Sequence, residues 1–320
     1  MELSVRNPEP GLGNGSIPPA PIAYLVSEYP STSHTFIQRE VLALRDRGVD
    51  IRTFTIRQGG PQLSKDSRHE QSTTIALLPV SAYKFLWTHL EALVTAPRAY
   101  ARTLQFALSR GEKDPRRTLW QLFYFAEAVL LWQQCRRQSI THIHAHFANS
   151  GADIARLASV LGRERGDGWT WSFTMHGSAE FLDMKRFGLA SKANDASFVA
   201  CISDYCRSQL MWLTPSMDWS KFTVVHCGIE VRSHPETSTS KSPHAGTLHV
   251  LTVGRLIPLK GHSLLVRSTR LLVERGIDVN VRIIGDGPYH DALQQDIRKH
   301  DLQGRVQLVG AVGQDDMRAH

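Results

Sequence analysis

HVLTVGRLIPLKGHSLLVRSTRLLVERGIDVNVRIIGDGP, residues 249–288, decides the fold, because it reads as strand, turn, helix, strand and turn. Residues 249–253 are apolar and β-branched, Gly254 breaks the run, and from His262 the pairs Leu264/Leu265 and Leu271/Leu272 recur two helical turns apart. A second apolar run, Val279–Ile284, ends in Gly285, Gly287 and Pro288. The pattern is a βαβ unit with a glycine turn after each strand, and α/β sheets bind ligands at that end of their strands.

The first turn holds Gly254, Arg255, Lys260 and Gly261. Two cations beside glycines, next to a helix N-terminus with free N–H groups, suit a phosphate. Solvated surface cations would give the same spacing, so both readings stay open at this point. Lys260 is followed by Gly261 and His262 rather than Ser or Thr, which excludes a Walker A loop, and no GxGxxG is present. Kinase-like and NAD-binding readings lose ground accordingly.

The GRLIPLKG run, with the GDGP turn after the next strand, resembles the second domain of the family 4 retaining glycosyltransferases. That resemblance implies an α/β, GT-B architecture, two Rossmann-like domains with parallel sheets facing a cleft. It also implies that Gly254, Arg255 and Lys260 bind the diphosphate of a nucleotide-sugar donor. No Asp-x-Asp pair occurs, so a metal-held diphosphate is not expected, and no cofactor is expected beyond the nucleotide-sugar substrate.

With 320 residues, 42% of them hydrophobic and 21% charged, the chain has room for two soluble domains with real cores. No apolar run approaches the ~18 residues of a membrane span, and the N-terminus lacks a basic-then-apolar signal pattern. Cys135, Cys201, Cys206 and Cys227 include no CxxC pair, which fits reduced thiols in the cytoplasm. The formal charge of +7 points to an anionic partner, and without a helix-turn-helix, zinc-finger or RNP-like pattern nucleic acid ranks last.

From the N-terminus, residues 1–21 are rich in proline and glycine and read as a disordered leader. A strand over 22–27, a helix with the stripe Ile37, Val41 and Leu44 closed by Gly48, and a strand over 49–56 make a Rossmann-type opening. In the intervening loop, Ser33 or Thr35 suits a helix N-cap. The P-x-x-S-x-T-F-I run there is similar to the exopolysaccharide, colanic-acid-type branch of the family, which implies that Ser33 and Thr35 line the acceptor side of the cleft. Many such relatives carry Glu where this chain has His34.

Residues 58–74 read as a polar loop and 75–79 as a short strand. Two amphipathic helices, 83–95 and 98–110, are separated by Pro97 and mix Tyr83, Phe85, Trp87, Tyr100 and Phe106 with Lys84, Arg98, Arg102 and Arg110. Packing on the domain accounts for most of these aromatics; docking of part of the region on an anionic, cytoplasmic leaflet is the second expectation. A long core helix follows to about Gln138, carrying Leu119, Leu122, Phe123, Ala126, Val129 and Leu130.

THIHAHF sets His142, His144 and His146 on one face of a strand. With no fourth ligand nearby in sequence, zinc is the lesser reading. A helix with Ile154, Leu157 and Leu161 then ends at Gly162, and a strand over 169–175 delivers His176 and Gly177. Family resemblance at TMHGSAEF implies that His176, the catalytic candidate, positions the transferred sugar, with His146 and Gly177 in the cleft wall. Strands over 198–203 and 222–226 flank a helix at 204–213, and HCGIE is similar to the turn that closes the family's first domain.

These readings divide the chain into a leader (1–21), an acceptor domain (22–231), a linker (232–247) and a partial nucleotide-sugar-binding domain (248–320). No Glu follows Glu274, so the Glu-x₇-Glu motif that the family places further on is not found, and a C-terminally truncated second domain is expected. The function implied is retaining transfer of a sugar from a nucleotide-diphosphate-sugar to a polysaccharide or lipid-linked acceptor in exopolysaccharide synthesis, by a protein peripheral to the inner face of the membrane. The alternative is a non-catalytic module that binds acceptor or membrane.

Overall fold

In a computed structural model, residues 20–31, 33–60, 65–111, 114–229, 246–313 and 317 are described. They form two compact units, the first ending at Ile229. Residues 1–19 of the leader, Glu230 of the HCGIE turn and most of the linker lie outside the described residues.

The first unit runs β1 (Ile22–Tyr29), α1 (Thr35–Asp46), β2 (Ile51–Gln58), α2 (Lys65–Thr73), β3 (Ile75–Leu78), α3 (Ala82–Thr95), α4 (Pro97–Ser109) and α5 (Pro115–Arg137). It continues with β4 (His142–His146), α6 (Ser150–Arg165), β5 (Thr170–Met175), α7 (Ser178–Phe181), α8 (Met184–Phe187), α9 (Leu189–Asp195), β6 (Val199–Cys201), α10 (Asp204–Leu213) and β7 (Phe222–Val224). The second unit runs β8 (Leu248–Val253), α11 (His262–Glu274), β9 (Val279–Ile284), α12 (His290–Lys299) and β10 (Val306–Gly310).

All seven strands of the first sheet are parallel, in the order β3-β2-β1-β4-β5-β6-β7. Strand order reverses between β1 and β4, and the carboxyl end of that junction is where doubly wound sheets bind ligands. Alternation along β1 separates two cores: Ala23 and Leu25 join Trp132, Trp171 and Phe173, while Tyr24 and Val26 join Ile37 and Val41 of α1. Each such fully buried Leu, Ile or Val side chain contributes ~1.5–3 kcal/mol. The second unit is a three-stranded parallel sheet, β10-β9-β8, around Val266, Val281, Ile283 and Leu293.

Several expectations are corrected. Residues 65–73 form α2 rather than loop; the helix has no apolar stripe and is anchored by buried Glu70, which binds Arg45 at 2.7 Å and accepts from the Thr53 hydroxyl at 3.1 Å. Gly162 does not end α6 but lies inside it, because a Cβ there would fall 2.1 Å from the Trp169 ring; the helix closes at Gly166. Only the second half of α5 is core, since Leu119, Leu122 and Phe123 are exposed. Of the α11 leucine pairs, Leu264 and Leu271 face solvent while Leu265 and Leu272 pack inward, because consecutive helical residues point ~100° apart. On α3 and α4, Phe85, Tyr100 and Phe106 pack on the core, but Tyr83 is 77% and Trp87 56% exposed.

Candidate functional site

The residues singled out in the sequence lie in two places, one in each unit. In the first, β4 and β5 pair in parallel so that His142, His144 and His146 stand opposite Thr170, Ser172 and Thr174. The first two histidines meet this hydroxyl stripe as a ladder. His142 bonds Thr170 (2.7 Å) and Ser172 (2.8 Å), and His144 bonds Ser172 (2.7 Å) and Thr174 (2.8 Å). Burial, with the neighbouring imidazoles His142 and His176, lowers His144 to about 3. The first two imidazoles are therefore neutral and structural.

His146 ends the ladder differently. Its Nδ1 lies 3.0 Å from Nε2 of His176, at the end of β5, and its Nε2 is buried with no hydrogen-bond partner, 3.9 Å from Glu40. The His176 ring is walled by Phe36 (4.7 Å between ring centroids) and Phe147 (4.6 Å). Burial and then the charge of His34 lower His176 to about 4, so it is neutral at pH 7. With Nε2 turned to His146, Nδ1 has no hydrogen-bond partner among the described residues. One tautomer of the pair makes Nδ1 a donor and the other an acceptor, and either can orient a hydroxyl.

The turn that carries His176 needs glycine next. Gly177 has φ +124° with nothing within 4 Å of where a Cβ would sit, so backbone conformation, not crowding, selects it. Glu180, on the short helix that follows, is buried and accepts the Ala148 N–H in a short hydrogen bond. Burial raises its pKa while the N–H groups of Ala148, Gly177 and His176 oppose the rise. Glu180 thus ties the β5 turn to the β4 turn.

Ser33 and Thr35 do not take the predicted capping role. His34 occupies the cap of α1 without a side-chain cap bond, Thr35 is the first helical residue, and Ser33 lies exposed near Ser31. His34 Nδ1 meets the Glu28 carbonyl at 3.1 Å, and its ring sits 5.2 Å from Phe147, so the loop reaches the His176 surroundings through His34. Sequence reading missed Glu40 and Glu180. Glu40 stands three residues after Ile37 on the buried stripe, which was the available signal; Glu180 carried none beyond its place in the TMHGSAEF run.

Among the described residues one group could hold a cation: Glu40, His144 and His146 have ligand atoms within 4.8 Å of one another. Binding there would require His144 to give up a Ser172 or Thr174 hydroxyl, and the Glu40 carboxylate also accepts from the Tyr24 hydroxyl.

In the second unit, β8 ends at Gly254 and β9 at Gly285. A Cβ on Gly285 (φ +145°) would fall 2.0 Å from the Gly254 carbonyl oxygen, so the two turns close only with glycine there. Gly261, at φ +72°, starts α11, and buried His262 reaches back from Nε2 to the Arg255 carbonyl at 3.1 Å. That contact fixes the turn and leaves the Arg255 and Lys260 side chains exposed, with no ion pair among the described residues. An exposed guanidinium and ammonium at a helix N-terminus can grip a diphosphate.

Two parallel α/β sheets, with Arg255 and Lys260 after the carboxyl end of a strand in one and His176 after the carboxyl end of a strand in the other, have the GT-B architecture. Comparison with known proteins agrees: residues 236–320 match the family "Glycosyl transferases group 1". The chain is 33% identical over 124 residues to the phosphatidylinositol N-acetylglucosaminyltransferase GPI3 subunit of Saccharomyces cerevisiae, covering 38% of this chain and 27% of that one. It is 23% identical over 308 residues to the "Putative colanic acid biosynthesis glycosyltransferase WcaL" of Escherichia coli, covering 93% of this chain and 72% of that one. The chain therefore spans about a quarter of the yeast relative's length. The solved lipopolysaccharide outer core galactosyltransferase WaaB shares the fold, with TM-score 0.52 and 17% identity over 91% of this chain and 68% of that one.

Proposed function

We propose that this protein is a retaining glycosyltransferase that moves a sugar from a nucleotide-diphosphate-sugar to a polysaccharide or lipid-linked acceptor in cell-surface glycan synthesis. The observation that carries the reading is the β8–α11 turn, where Arg255 and Lys260 are held out by the His262–Arg255 contact inside the segment that matches the glycosyl transferases group 1 family. In this reading Arg255 and Lys260, with the α11 N–H groups, neutralise the diphosphate as the sugar–phosphate bond breaks, and no metal is required. Neutral His176 orients the transferred sugar. The yeast and E. coli relatives, a phosphatidylinositol N-acetylglucosaminyltransferase subunit and a colanic acid glycosyltransferase by name, support an acceptor of this kind.

Titration of UDP or GDP into the purified chain tests the donor site. Arg255→Ala should weaken binding about ten- to a hundredfold, the worth of charge-assisted hydrogen bonds at ~1.5–3 kcal/mol. Unchanged affinity in that variant removes the assignment.

The reading also places the protein on the cytoplasmic face of an anionic membrane. Exposed Tyr83, Leu86, Trp87 and Leu90 on α3 support it, as do exposed Leu119, Trp120 and Phe123 on α5. Among the described residues no helix is long and apolar enough to cross a membrane. Co-sedimentation with phosphatidylglycerol-containing vesicles at low salt should be lost with Trp87→Ser; a chain that ignores such vesicles would not be peripheral.

A further inference from the structure

At the carboxyl end of the first sheet, beside the β1/β4 junction, lies a cavity of about 830 Å³ that does not include His176. Its wall is built from the end of β1 (Ser27), the end of β2 (Arg57), the first turns of α5 and α6, and α8 and α9. Eight of its lining side chains are Arg or Lys and four are Asp or Glu, a surplus of four positive charges.

Three of the four acids are already committed to partners. Asp114 caps α5 by accepting from the N–H of Arg116 (2.9 Å) and Arg117 (3.4 Å), and Asp183 accepts from the N–H of Arg186 (3.1 Å). Asp153 binds buried Lys192 at 2.9 Å. Glu127 is held above the usual carboxylate range by burial, with Arg57 opposing. Of the cations, Arg156 is matched by Asp195 at 3.1 Å, whereas Arg116, Lys185 and Arg186 make no salt bridge among the described residues. Cations gathered around one hollow repel one another, and a multivalent anion seated among them relieves that repulsion. The α6 N-terminus also opens here, with Ser27 donating to Asn149 Oδ1 at 3.0 Å and Asn149 Oδ1 capping Gly151 N–H at 2.9 Å.

We propose that this cavity, lined by residues of the first unit alone, is an anion site in addition to the Arg255/Lys260 turn and takes the phosphate or diphosphate ester of the acceptor. The inference rests on the transferase reading for the word acceptor, not for the anion site itself. The turn that follows β4 joins the cavity to the predicted sugar-positioning group: Phe147 packs on His176 and Asn149 lines the cavity. A phosphate held here would set the acceptor's sugar end relative to His176. Trp120, half exposed on the rim, is positioned for the apolar part of an amphiphilic ester.

The test uses the full chain carrying Arg255→Ala and Lys260→Ala, so that the other anion site is silent. Inorganic pyrophosphate and geranyl diphosphate are titrated by calorimetry, with near-ultraviolet circular dichroism confirming the fold. Both probes should bind, and adding Arg116→Ala with Arg186→Ala should weaken binding at least about tenfold. If geranyl diphosphate binds more tightly and Trp120→Ser removes the difference, the ester is a lipid; equal affinities assign a soluble organophosphate. No binding, or binding indifferent to Arg116 and Arg186, overturns the proposal. Absence of UDP and GDP binding to the unmodified chain, while the chain with Arg255→Ala and Lys260→Ala still binds pyrophosphate, would instead overturn the donor assignment alone.

Discussion

The two units present polar chemistry in opposite ways. The first buries much of it and satisfies most of that internally, His146 Nε2 being an exception: the His142 and His144 ladder, Glu180 on backbone N–H groups, and Lys192 bonded to the Ala148 carbonyl (2.7 Å) and Asp153 (2.9 Å). The second leaves Arg255 and Lys260 in solvent and spends its constraints on backbone, with glycines where strands end. Buried groups hold a shape and therefore depend on one another; exposed cations on a rigid turn depend only on the turn. Mutations should consequently fail in different ways in the two units.

The largest expected effect is Gly285→Ala. Its methyl group has backbone for a neighbour at 2.0 Å, which no side-chain rotation relieves, so a loss of about 3 kcal/mol or more is expected in the second unit. All seven tryptophans lie before residue 229, so their fluorescence reports the first unit alone. Limited proteolysis should show the second unit opened while the tryptophan transition stays in place; a shift of both together would break the contrast.

Lys192→Met should cost the first unit ~3–5 kcal/mol, because it strands the Asp153 carboxylate beside a carbonyl. Urea unfolding followed by tryptophan fluorescence measures it, and a midpoint equal to the unmodified protein's would mean that the buried pair is dispensable.

A smaller, graded effect concerns pH. His144 and His176 are lowered to about 3 and about 4, below the ordinary imidazole value of 6.5. Between those values the unfolded chain binds protons that the folded chain refuses, so stability is complete above about pH 6.5 and is lost as pH falls toward 4. The tryptophan-detected midpoint should drop by several degrees between pH 7 and pH 4.5. A flat profile would show that these imidazoles are not held neutral.

Legibility in the sequence followed the same division. The β8–α11–β9 segment was readable to within a residue or two, because glycines and alternating apolar runs are local signals. The α2 helix was not, since its anchor is Glu70 meeting Arg45 and Thr53 from other elements rather than a stripe of its own. Gly162 misled for a related reason: a glycine that admits the Trp169 ring looks in sequence like one that ends a helix. At the His176 site the histidines were visible, but the capping role given to Ser33 and Thr35 belonged to His34's position, and Glu40 and Glu180 went unseen.

By itself the sequence determined the class of fold, the order of most strands and helices, and the cation-bearing turn at Arg255 and Lys260, because periodicity, glycine and helix N-termini act over a few residues. Only the tertiary structure decided which polar groups are committed. That His142 and His144 are structural while His176 keeps a ring nitrogen open depends on pairing β4 with β5. That basic residues between positions 57 and 192 surround one hollow depends on the strand-order reversal, which brings the ends of β1 and β2 beside the starts of α5 and α6. Both are contacts between residues distant in sequence, and no local pattern records them.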